Sequence, residues 1–186
     1  MAKFSGQKAI GADYIIVNAE IKTEAIFNKS EAYRFSIKRI WDDKKPKATM
    51  IMINPNPNDH LKQGPTAVRV INYLMDRGYG AIEFVNLFAY RTIRSKELKS
   101  SKHKIDIVGK GNNQFILDAV GSADLTIAAW GNDGGINGRD KEVLEILKGH
   151  ELMCFGITKK GRPRYPLGIA EFNNMVLIKY PGIEAK

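Results

Sequence analysis

Residues 48–60, ATMIMINPNPNDH, change character at a single point. Through Ile53 the run reads as a short, continuous apolar strand covered on both faces, and from Asn54 it turns to prolines, asparagines, an acid and a histidine. A strand covered on both faces belongs inside a sheet with helices above and below it, which sets the class as α/β. The same transition places Asn54 and Pro55 directly off a buried strand. A rigid scaffold would hold the amide there, and the proline would fix the chain's exit angle.

Upstream, YRFSIKRIW (33–41) alternates, with Tyr33, Phe35 and Ile37 on one side and Arg34, Ser36 and Lys38 on the other. That pattern predicts a half-buried strand with a basic outer face. Downstream, Val68, Ile71, Leu74 and Met75 recur at helical spacing between Pro65, suited to a first turn, and Gly78, suited to a terminating position. The unit then repeats: AIEFVN as strand, NNQFILDAV as helix, DLTIAAW as strand, KEVLEIL as helix and ELMCFGI as strand, with NMVLIKY as a further edge strand. The alternation predicts a single domain over residues 1–186. Its architecture is three-layer α/β/α, with a mainly parallel central sheet of about four core strands plus edge strands.

The length of 186 residues suits one core, and 44% hydrophobic with 26% charged residues is the balance of a globular chain. Lys and Arg exceed Asp and Glu by 29 to 20, a net charge of +9, so the mean surface field attracts polyanions, nucleic acid foremost. No apolar run approaches a membrane span and MAKFSGQKAIGADY lacks the apolar core of a secretion signal, which predicts a cytoplasmic location and no membrane partner. Cys154, the one cysteine, sits in an apolar stretch and reads as buried and inert. His60, His103 and His150 have no metal-ligand spacing, and no Walker loop, dinucleotide fingerprint or G-x-S-x-G elbow is present; neither metal nor cofactor is expected.

In an open parallel sheet, ligands bind beyond the carboxyl ends of the strands. The loops after the four core strands are NPNPNDH, NLFAYRTIRSK, GNDGGING and TKKGRPRYP, so each chemically distinctive stretch falls at that one rim. Asn54 and Asn86 occupy equivalent strand ends; an amide offers donors and an acceptor and can read a nucleobase edge, or can tie loops together. The glycines of GNDGGING allow a backbone to pass close to a ligand, and Trp130 before them reads as core. Lys159, Lys160, Arg162 and Arg164 beside Tyr165, together with Arg91 and Arg94 after the second core strand, suit phosphate contact and base stacking.

Four motifs carry a resemblance: Asn54-Pro55-Asn56, Asn86-Leu87-Phe88-Ala89, Ala129-Trp130-Gly131 and Pro163-Arg164-Tyr165-Pro166. Over about residues 33–168 they resemble an uncharacterised bacterial and phage family of unknown function with N-P-S/N, N-L-F-A, A-W-G and P-R-H-P motifs. In order and approximate spacing they are also similar, more distantly, to the uracil-DNA glycosylase superfamily. MINPNP resembles its water-positioning loop, FVNLF its base-reading asparagine, IAAWGN its L-L-W-G strand and RPRYPL its DNA-gripping loop. Tyr165 stands where both patterns have a histidine.

The second resemblance implies a DNA-binding protein of that fold that flips and excises a uracil-like or modified base. In that reading Asn54 holds the attacking water, and Asp59 is a nearby candidate base that otherwise caps its loop. Pro55, Asn86, Phe88 and Tyr165 would contact the flipped base, while Arg91, Arg94, Lys159, Lys160, Arg162 and Arg164 would meet phosphates. Two alternatives stand beside it: a catalytically inactive nucleic-acid-binding module of the same fold, and an enzyme acting on free nucleosides or nucleotides.

Overall fold

The structure is a computed structural model in which residues 17–57, 61–93, 95–99 and 105–182 are described. In chain order it comprises β1 (Lys22–Phe27), β2 (Arg34–Ile40), β3 (Lys47–Met52), α1 (Pro65–Met75), β4 (Ala81–Asn86), α2 (Asn112–Gly121), β5 (Leu125–Ala128), α3 (Arg139–Ile146), β6 (Met153–Cys154) and β7 (Ile178–Lys179). The strands form one seven-stranded sheet in the order β1-β2-β4-β3-β5-β6-β7. The class is α/β, and the sheet is mixed. The β4–β3, β3–β5 and β5–β6 pairings are parallel; β1–β2, β2–β4 and β6–β7 are antiparallel.

Two apolar clusters flank the sheet. Met50, Ile82 and Phe84 meet Val70, Ile71 and Leu74 of α1 on one face; Ile51 and Val85 meet Ile116 and Val120 of α2 and Val143 of α3 on the other. The alternation in β3 and β4 therefore serves two cores at once, which is why these strands read as unbroken apolar runs. α1 begins at Pro65, whose missing N–H costs nothing in a first turn, and it stops where Gly78 takes φ +83°. Among the described residues no helix is long and apolar enough to cross a membrane.

The first strand of the sheet corrects the reading of YRFSIKRIW. β1 pairs along β2 and moves it off the sheet edge, and Arg34 and Ser36 of the expected outer face are buried, as is Arg39. The register also shifts by one residue, Ile26 pairing with Ser36 and Phe27 with Arg34, which leaves Phe35 as the extra residue of a β-bulge. Phe35 then stacks on Phe115 of α2, ring centroids 4.6 Å apart, while Ile37 packs in the α1-side cluster. A strict period of two would have put Phe35 and Ile37 on the same face.

Candidate functional site

The site begins with the exit of β4. Every residue of this strand is buried, ending in Asn86, which is 1% exposed. Its backbone is held from below: Asn112 Nδ2 donates to the carbonyls of Asn86 (3.0 Å) and Leu87 (3.1 Å), and Arg139 Nε donates to Leu87 O at 2.8 Å. Arg139 in turn reaches Asn113 Oδ1 at 2.6 Å and Glu142 at 2.7 Å. These clamps from α2 and α3 fix the position of the Asn86 side chain, whose buried Nδ2 has no hydrogen-bond partner among the described residues.

The neighbouring exit of β3 is fixed by the same logic. Leu87 N donates to Met52 O and Phe88 N to Ile53 O, both at 2.9 Å, which extends the parallel pairing beyond the strands. Asn54 Nδ2 donates to Thr92 O at 2.8 Å and to Pro55 O at 3.2 Å. Both partners are carbonyls, so the amide nitrogen must face them, and the amide oxygen is the acceptor that remains. Pro55 is buried, and its carbonyl also accepts from Thr92 N at 3.3 Å.

A pocket of about 210 Å³ opens between these strand ends and the start of α1. Asn54, Asn56, Asn86, Thr66 and Tyr165 supply its neutral polar side chains, and Arg34 and Arg39 its charge. A second depression of about 410 Å³ lies beside it, lined by Thr92, Trp130, Gly131 and Asp133 among others, and Met52, Asn54, Asn56 and Tyr165 form the wall shared by the two. All four loops after the parallel strands contribute to the pair. Tyr165 is held against α1 by a 2.8 Å hydrogen bond between its hydroxyl and that of Thr66. The loops are also tied to one another: Gly131 N donates to Pro163 O at 3.0 Å, Thr158 Oγ1 to Asn132 Oδ1 at 2.8 Å, and Lys99 pairs with Asp133 at 2.7 Å.

The sequence-predicted residues divide by placement. Asn54, Asn86 and Tyr165 come together on the first pocket. Pro55 serves the loop backbone. Phe88 is fully buried in the cluster beneath α2 and lines neither pocket, so it presents no ring face to a base. Asp59 and Arg94 lie outside the described residues. Lys159, Lys160 and Arg164 are exposed on the fourth loop.

Arg91 and Arg162 are occupied within the protein. Arg91 donates to Glu31 O at 2.6 Å and to Pro57 O, and lies over the Phe27 ring, so it clamps two loops. Arg162 Nε pairs at 2.6 Å with Asp140, which is 0% exposed. Two of the four GNDGGING glycines are explained by the same packing: a Cβ on Gly134 would stand 2.1 Å from the Trp130 ring, and one on Gly135 2.1 Å from the Arg162 guanidinium. Gly134 and Gly135 make room for these side chains, while Gly131, at φ +67°, lines the second pocket. Trp130 is core, edge-on to Tyr180 at 5.8 Å, and Cys154 is buried, with burial pushing its thiol pKa up.

Sequence reasoning missed Arg34, Arg39 and Thr66 as lining residues. Arg34 and Arg39 are 3% and 4% exposed. Burial first, then the charges of Arg91 and Arg39, push the Arg34 guanidinium down to about 9, so at neutral pH it remains charged and bears the cost of its desolvation. Burial lowers Arg39 too. The bulge at Phe35 is what turns Arg34 to this face, and nothing in the residue pattern announces it.

Among known families, the one described as "Protein of unknown function (DUF1643)" aligns with residues 34–167. No curated protein and no solved structure matches the chain.

Proposed function

The chain belongs to the DUF1643 family of proteins of unknown function, and from the geometry of its rim we propose that it binds nucleic acid and holds one extruded base in the first pocket, as a DNA N-glycosylase. The observation that carries this reading is Asn86: a buried amide nitrogen with no partner among the described residues, lining a pocket at the end of a central strand. A buried polar group left unpaired costs about 1–3 kcal/mol, and a base carbonyl in the pocket would recover it. The volume of about 210 Å³ lies below the roughly 300–1,000 Å³ of pockets for drug-sized ligands and suits a single ring.

Asn54 supplies the second element. With its nitrogen tied to Thr92 O and Pro55 O, its amide oxygen is available to accept from a water on the wall between the two pockets. In the proposed hydrolysis the bond from C1′ to the base nitrogen breaks and a bond from C1′ to the water oxygen forms. One water proton passes to a general base, for which Asp59 is the candidate, and the departing base takes a proton from solvent. Tyr165 offers its ring to the base, and Lys159, Lys160 and Arg164 meet phosphates. The run of parallel strands β4, β3, β5 and β6 with every site loop at one rim supports a uracil-DNA-glycosylase-like arrangement.

The test is an abasic-site cleavage assay over duplexes containing uracil, hydroxymethyluracil and other modified bases. Cleavage of at least one duplex is expected, with Asn54→Ala reducing turnover by about 100-fold or more while sparing DNA affinity. Unchanged turnover in that variant would remove Asn54 from the mechanism. The second reading, a binding module without chemistry, is favoured by Tyr165, which stands at a histidine position and whose hydroxyl is engaged by Thr66. No cleavage on any duplex, with salt-sensitive binding, would establish that reading instead. Base release from free nucleosides alone would make the protein a nucleoside hydrolase.

A further inference from the structure

We propose that the first pocket takes an oxyanion, a phosphate or carboxylate group carried by its ligand, between the N-terminus of α1 and the guanidinium groups of Arg34 and Arg39. The inference rests on the reading of this pocket as the ligand site, and not on whether a base is excised there.

Three independent features converge. First, Gly64, the residue before α1, gives the helix no side-chain cap, and its first turn has no acidic residue. The first backbone amide bonded within this turn is Val68 N, to Gly64 O at 3.1 Å, and Pro65 has no N–H. Thr66 and Ala67, both lining the pocket, therefore present the N–H groups that have no acceptor within the helix, at its positive end. Second, Arg34 and Arg39 line the same pocket from β2, beside the apolar Ile37, Met52, Phe84 and Leu167. Low-polarity walls strengthen any charge pairing made inside them. Third, the unpartnered Asn86 Nδ2 is a further donor in this pocket.

The set is donor-rich and positive, and no carboxylate is among its described lining residues. A neutral ring alone would leave the charges where they are. An oxyanion accepts from helix amides, guanidinium and amide together, the combination that phosphate sites at helix N-termini use. Two sources carry that chemistry: a base with an acidic substituent, and the phosphate of a mononucleotide.

The experiment is calorimetric titration of the full chain at low ionic strength with inorganic phosphate, uridine, uridine 5′-monophosphate and orotate, a uracil carboxylate. At least one of the two anionic uracil compounds should bind about tenfold or more tightly than uridine. Tighter binding of the monophosphate assigns the site to a phosphate; tighter binding of orotate assigns it to an acidic base. Gly64→Asp supplies the control for folding. Gly64 has φ −70° and no atom within 4 Å of an added Cβ, so aspartate fits and caps the helix, while its carboxylate occupies the anion position.

The variant should keep or raise Tm and lose anion affinity about tenfold or more. Uridine binding as tightly as both anions, or full anion affinity in Gly64→Asp, would overturn the proposal. Failure of base excision with anion binding intact would leave it standing, so the two readings fail separately.

Discussion

Asn86 is the last residue of a strand with no exposed side chain, and its amide nitrogen has no hydrogen-bond partner among the described residues. An apolar side chain of similar shape would remove the unmet donor, so Asn86→Leu should leave the fold as stable as the parent, or more stable by up to about 2 kcal/mol. Ligand binding in the first pocket should fall at the same time. Chemical denaturation beside a binding titration checks both, and loss of stability without loss of binding would mean that Asn86 is structural. Asn54, Asn86 and Tyr165 were legible in the sequence because each follows an identifiable strand and the ends of parallel strands share a rim. Arg34 was read as an outward-facing charge, since the pattern of β2 carries no sign of its bulge.

Among the elements, helices and central strands were legible because their signals are local: Pro65 and Gly78 bracket α1, and the apolar runs of β3 and β4 mark double burial. β1 was not legible. It is an edge strand whose burial is slight, so selection on its sequence is for pairing and leaves no apolar period. Its effect reaches β2, where two residues of the predicted outer face are buried, Arg34 and Ser36, the latter bonded to Glu83 at 2.6 Å.

The sequence assigns Arg162 of the fourth loop to phosphate contact, yet Arg162 anchors that loop to α3 through the fully buried Asp140. Removing one partner of a buried pair leaves an uncompensated charge, so Arg162→Ala should cost about 3–5 kcal/mol. A thermal melt checks this. A normal melt with weakened DNA binding would restore Arg162 to the interface.

On the scale of the whole molecule, a net charge of +9 creates a field for polyanions but does not locate their contact. Of the predicted phosphate contacts, Arg91 and Arg162 are tied within the protein, Arg94 lies outside the described residues, and Lys159, Lys160 and Arg164 are exposed on the loop that carries Tyr165. Replacing all three by glutamine should lower the slope of log K against log salt by about 2–3 and leave Tm nearly unchanged. An unchanged slope would place the DNA on another face.

The most direct measurement is photocrosslinking of the protein to a duplex carrying a single 5-iodouracil, with the adduct mapped by mass spectrometry. A base extruded into the first pocket lies against Tyr165, so the account predicts an adduct on Tyr165, lost in competition with the unmodified duplex. Adducts confined to residues outside the two rim pockets, or none under conditions where the duplex binds, would contradict it.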